Sequence, residues 1–204
     1  ILGLPGETVE SWKTGIEKLL KAGLKNQLFI YLCQVFPNTE MWEPEYQKRF
    51  GIQTTRIQLT EIHGALRGSE LTPEYEDIIT RTNAMALEEW KQMVLFSWLT
   101  MVMHSLKVGF FVMLWLHNRH GKSYAEFISF LLKAMTPILG YQLEEMRCQV
   151  LNILNGHGRG RFVPGYAPIY WDEEEATFLR LSEKWEPFYS ELHTLVVEYL
   201  KDDE

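Results

Sequence analysis

The sequence predicts an α/β stub, the last strands of a partial (β/α) barrel, followed by a mainly α-helical C-terminal domain. Three features of the 204 residues carry this reading. The chain opens with "ILGLPGET", two apolar residues that run straight into a Gly/Pro turn and a helix start. A second stretch, "LFIYLCQVF" over Leu28 to Phe36, has little polarity on either face, the pattern of a parallel strand covered on both sides. From about Glu43 onward the pattern is helical, with no further convincing strand. The expected organisation is the end of a barrel at 1–42, a linker at 43–70 and a helical domain at 71–204.

Thr8 can cap a helix whose apolar positions Val9, Trp12, Ile16, Leu19 and Leu20 follow helical spacing, and Gly23 closes it. Pro37 ends the second strand. A strand, a helix and a parallel strand with short connections form one right-handed crossover. Two strands alone leave edges that need partners, so the sequence reads as the tail of a longer protein with the rest of its barrel upstream. Next comes a short helix over Pro44 to Ile52, ended by Gly51. In "LTPEYEDIITRTNAM" a Thr72 cap and Pro73 predict a further helix start. A long buried helix is expected from Ala84 to Leu106, then helices at Val108 to His117, Tyr124 to Met135 and Leu143 to Leu154. A Gly/Pro loop over Asn155 to Pro168 precedes helices at Asp172 to Leu181 and Trp185 to Leu200.

Hydrophobic content of 46% and charged content of 23% fit a packed protein and exclude disorder. A formal charge of −7 argues against a nucleic-acid backbone as partner, which would need a basic field. Two cysteines, Cys33 and Cys148, are too few for a disulfide scaffold and fit a reducing, cytoplasmic compartment; no signal peptide is read at the start. Met93 to Leu116 is long enough for a bilayer, which needs roughly 20 apolar residues. Lys107 in its middle would cost about 3 kcal/mol there, so two consecutive core helices, or one long buried helix, are expected and no membrane partner.

The candidate site is the opening turn. Gly3 and Gly6 let the backbone bend sharply and approach a ligand without a Cβ in the way. Unpaired N–H groups at the Thr8 helix start favour electron-rich groups, and Glu7 can bond back across the turn or reach a ligand hydroxyl or amine. This places a ligand-facing turn on the C-terminal rim of a parallel sheet.

"ILGLPGETVESW", a helix and then "IYLCQVFPNTEMW" resemble the fifth- and sixth-strand segments of radical S-adenosylmethionine (SAM) enzymes, in particular the subgroup with a cobalamin-binding domain. The resemblance implies that Gly3, Leu4, Pro5, Gly6, Glu7 and Thr8 lie against the adenine end of SAM. It also implies that the end of the sixth strand, with Gln34, Pro37, Asn38 and Thr39, lines the side that receives a small-molecule substrate. "TRTNAMALEEW" and the helices after it look like the C-terminal helical extension of some members. The family's 4Fe-4S cluster is held by a CxxxCxxC loop that this sequence lacks, so its ligands are expected outside it. The implied activity is that of a C-terminal part of a SAM-, cluster- and cobalamin-dependent enzyme acting on an unactivated carbon by methyl transfer or rearrangement. The alternative left open is an all-α interaction or binding module without catalysis.

Other residues carry blander expectations. Cys33 reads as a small buried hydrophobe. His117 and His120 fit a solvated helix end better than a metal pair. "HGRGR" (His157 to Arg161) reads as a surface loop with solvated arginines, the other reading being anchorage of a phosphate or carboxylate, and the acids from Asp172 to Glu175 as a helix start.

Overall fold

The computed structural model describes residues 1–64 and 72–201. Residues 65–71 and 202–204, which include the end of the expected linker and the acidic tail, lie outside the described residues.

The opening unit forms as its sequence dictates. Thr8 is extended and its Oγ1 accepts the Ser11 N–H (3.1 Å), while the Ser11 hydroxyl accepts the Thr8 N–H, so α1 (Val9–Lys21) starts on a closed capping box. Gly23, at φ 86°, takes the chain out of the helix. Leu2 then pairs in parallel with Leu32. The Leu2 N–H donates to the Tyr31 carbonyl and the Cys33 N–H to the Leu2 carbonyl, both at 2.8 Å.

The stretch after the linker's helix departs from expectation. α2 (Pro44–Phe50) ends at left-handed Gly51 as read. The helix expected from Thr72 and Pro73 is instead a strand, β2 (Tyr75–Arg81), antiparallel to β1 (Gln53–Gln58). The β-branched run Ile78-Ile79-Thr80, buried throughout, explains the outcome: such side chains lose rotamer freedom in a helix and pack well on a pleated surface. The expectation of no further strands therefore fails. β2 also joins the opening unit. The Val35 N–H donates to the Asp77 carbonyl and the Ile79 N–H to the Cys33 carbonyl, each at 2.8 Å. The result is one small mixed sheet in the order Leu2, 31–35, β2, β1.

The expectation that 28–36 is covered on both faces also fails among the described residues. Phe29 and Tyr31, which alternation places on one face, are 60% and 58% exposed, while Ile30 and Leu32 pack against the core.

The helical part follows the sequence closely. α3 (Leu87–Thr100) runs into one turn of π-helix, Met101–Ser105, and α4 (Phe110–His120) leaves at 91°. Among the described residues no single helix is long and apolar enough to cross a membrane; the apolar stretch is two helices, α3 buried along much of its length and α4 burying Met113 and Leu116. α5 (Tyr124–Leu131), α6 (Leu139–Leu154), α7 (Glu173–Ser182) and α8 (Trp185–Lys201) complete the layer, with a two-residue pair β3 (Arg161–Phe162) and β4 (Tyr170–Trp171) between α6 and α7. One hydrophobic cluster runs from Leu2, Cys33 and Val35 through Trp90, Phe96 and Trp98 to Phe188 and Leu192, so sheet and helices share a core.

Candidate functional site

Parallel pairing makes Leu2 and the 31–35 segment run out at the same end of the sheet, and the turn 3–8 and the segment 34–39 leave from there. Gly3 and Gly6 hold φ values of 100° and 88°, which glycine adopts freely and other residues do not. Their surroundings differ. A Cβ on Gly3 would sit 3.4 Å from the Ile79 carbonyl and 3.6 Å from Cys33 Cβ, so its close approach is to the neighbouring strands. A Cβ on Gly6 would meet nothing within 4 Å, and that side of the turn is open.

Glu7 bonds back across the turn as expected: the Gly3 N–H donates to its Oε2 at 3.3 Å. Burial pushes this carboxyl above its ordinary range, against the Gly3 hydrogen bond that favours its charged form. Burial likewise raises the Cys33 thiol, which stays a packed hydrophobe beside Gly3.

At the other half of the rim, Pro37 and Asn38 are exposed, Asn38 at φ 65°, and the Thr39 hydroxyl donates to the Phe36 carbonyl at 2.6 Å. Gln34 is tied more deeply. Its Nε2 donates to Glu76 Oε2, and Glu76 Oε1 lies 3.4 Å from Arg159 Nε. A chain of three side chains thus links the end of the strand to the loop after α6. Sequence reasoning singled out Arg159 as part of the "HGRGR" loop but missed Glu76 and the pairing, because nothing local marks residues brought together from such separations.

The "HGRGR" loop corrects its expectation. Arg161 is buried, its Nη2 donates to the Thr177 hydroxyl (3.0 Å), and burial lowers its pKa. The loop is held by Glu173, whose Oε1 accepts the Gly160 N–H at 2.7 Å. α7 starts at the acids as read from the sequence, with the Asp172 N–H donating to Glu175 Oε2 at 3.3 Å, yet Glu173 and Glu174 turn inward and are buried. Among the described residues no group of three metal-ligating side chains forms. His117 Nδ1 lies 2.9 Å from the Lys122 carbonyl, at the end of α4.

The geometry defines the class first: a parallel strand–turn–helix–strand rim whose turn presents bare backbone, backed by a helical layer. No family model matches the chain. Two curated proteins do. A cobalamin-dependent radical SAM methyltransferase, TokK, of Streptomyces tokunonensis is 28% identical over 127 residues. A 2-(S-pantetheinyl)-carbapenam-3-carboxylate methyltransferase of Streptantibioticus cattleyicolor is 29% identical over 127 residues. Each match spans 62% of this chain and 18% of the relative. The chain is related to the cobalamin-dependent subgroup of radical SAM enzymes.

Proposed function

We propose that this chain is the C-terminal part of a cobalamin-dependent radical SAM enzyme that transfers a methyl group to, or rearranges, an unactivated carbon of a small-molecule substrate. The observation that carries the proposal is the bare face beside the rim. Phe29 and Tyr31 stand uncovered next to the Gly3–Thr8 turn, on a segment that pairs with Leu2 as neighbouring strands of a parallel barrel do.

The turn fits one edge of a nucleoside. Leu4 is exposed, Gly6 leaves its side of the backbone clear, and Glu7 fixes the bend from within, so Gly3 to Thr8 would hold SAM as a wall. Gln34, Pro37, Asn38 and Thr39 would face the substrate. In Gln34 the amide nitrogen is committed to Glu76, which leaves the amide oxygen as the group it can offer.

This chain's residues do not fit a 4Fe-4S cluster: Cys33 is buried in the core and Cys148 exposed on α6, and no third cysteine exists. The cluster ligands, the cobalamin-binding domain and the remaining barrel strands are assigned to sequence preceding Ile1. When bound, the cofactors supply the radical and methyl-transfer chemistry, while the rim and helical layer supply placement and exclude water.

Anaerobic reconstitution of the full-length protein tests the reading. Cluster iron, SAM cleavage and methyl transfer to a small-molecule acceptor are expected. A coding sequence before Ile1 without a CxxxCxxC loop, or a reconstituted protein that leaves SAM intact, would refute it.

A further inference from the structure

Beside segment 29–32, all four of whose residues line it, lies a cavity of about 60 Å³ whose lining includes no residue of the 3–8 turn. Leu2 and Leu32 form one wall, and Trp98 of α3 with Met101 of its π turn forms another. The start of α7 closes it with three carboxyl groups, Asp172, Glu173 and Glu174, beside the Arg159 guanidinium.

Two of these four charged groups already have work. Asp172 is the N-cap residue of α7, but its side chain makes no capping bond and only its N–H is engaged, by Glu175 Oε2 at 3.3 Å. Glu173 holds the Gly160 N–H and the Gln149 amide, at 2.7 and 3.3 Å. Arg159 lies against Glu76. Glu175, the next acid on α7, is turned to His63, 2.5 Å away. His104, on the π turn packed against α7, lies 3.2 Å from the Asn26 carbonyl. Glu174 differs. It is nine-tenths buried and lines the cavity, and among the described residues no other residue donates a hydrogen bond to its carboxyl. Burial, with a smaller push from Asp172, Glu173 and Glu175, raises its pKa to about 8 even though its own backbone N–H favours the charged form.

We propose that this cavity binds a small aliphatic ammonium group, with Glu174 as its counter-ion. A buried acid served only by its own backbone N–H is costly to ionise, and a cation placed against it offsets that cost. The acids outnumber the single guanidinium, which Glu76 already engages, so the same surplus disfavours an anion. Trp98 gives the cation an aromatic neighbour. The volume corresponds to roughly four sites for water, enough for two or three heavy atoms. On binding, the O–H bond of the Glu174 carboxyl breaks and its proton leaves to solvent, while the ammonium keeps its three protons and pairs with the carboxylate. The site does not depend on SAM cleavage, so its failure and the failure of the proposed reaction are separately visible.

Calorimetric titration of the intact protein with ethylammonium chloride, in two buffers of different ionisation enthalpy, tests the proposal. The expected dissociation constant is on the order of 1 mM, the ceiling for a three-atom ligand. Close to one proton should be released per ligand at pH 7 and none above pH 9, with affinity rising about tenfold per pH unit between 6 and 8. Glu174→Gln should weaken binding at least tenfold and abolish the proton release, and ethanol and potassium ion should not compete. Equal binding by Glu174→Gln, competition by ethanol or potassium, or binding without proton release would each overturn the proposal. If the variant does not fold, proton release by the unaltered protein decides alone.

Discussion

Gly6 and Thr8 sit two residues apart in the rim turn and are held by different physics, which substitution separates. Nothing crowds Gly6, so Gly6→Ala is expected to cost about 1–2 kcal/mol, all of it backbone strain from a positive φ. Thr8→Ala removes the cap and should cost about 1 kcal/mol. Thermal unfolding reads both. Glu174 offers a pH-dependent counterpart. Its folded-state pKa of about 8 lies above the ordinary 4.5, so the folded chain holds the proton more tightly than the unfolded one. Stability present at acid pH is therefore lost as pH climbs from 4.5 towards 8, by up to about 1.4 kcal/mol per pH unit. Glu174→Gln should flatten that fall, as seen in denaturant midpoints between pH 5 and pH 8. Buried acids of this kind were not legible in the sequence: "DEEE" before an apolar run looks the same whether its glutamates face water or a cavity.

Two helices start on carboxylates borrowed from other helices. Glu191 of α8 accepts the Ile138 and Leu139 N–H groups at the start of α6, at 2.9 and 2.7 Å, and the Thr136 hydroxyl at 2.5 Å. Glu17 of α1 accepts the Ala125 N–H at the start of α5, at 2.8 Å. Such caps use the positive end of a helix as a local cap does, but they also fasten two elements together. Glu191→Ala should cost about 3 kcal/mol, because it strands donors that no nearby side chain replaces, and chemical denaturation would show it. Burial pushes the Glu17 carboxyl up, but the Ala125 N–H, Lys21 and Ser123 outweigh it and leave the pKa below 4.5. Its stabilisation is therefore present at neutral pH and lost as pH falls through that lowered value, and Glu17→Gln should soften the acid limb of the stability profile. The helices themselves were readable from apolar spacing and from Gly23 and Gly51 at the ends of the first two. β2 was not, because Thr72 and Pro73 imitate a helix start just before the β-branched run that decides the fold.

At the scale of the whole molecule, the sheet carries both the core and an uncovered apolar face. Phe29 and Tyr31 should make the isolated chain bind hydrophobic dyes and self-associate, and replacing both with serine should suppress this. The same double substitution in the full-length protein is expected to abolish turnover. A full-length variant with normal turnover would count against that face being covered in a complete barrel. The rim was legible because its signals, Gly-x-x-Gly and a capping threonine, are contiguous. The acid-floored cavity was not, since it is assembled from 29–32, α3 and α7, which meet only after folding.

The π turn at Met101–Ser105 joins these scales. Its Ser105 hydroxyl accepts the Leu28 N–H at 2.9 Å and donates to the Leu28 carbonyl at 3.0 Å, gripping the base of the second strand. A π turn carries one residue more than the helix around it needs. Cutting a single residue from it would restore ordinary winding and swing the serine about 100° around the axis. The hand would then close on nothing, and the 91° corner behind it would aim α4 elsewhere. What reads as a miscount in the spiral is the clasp between its two halves.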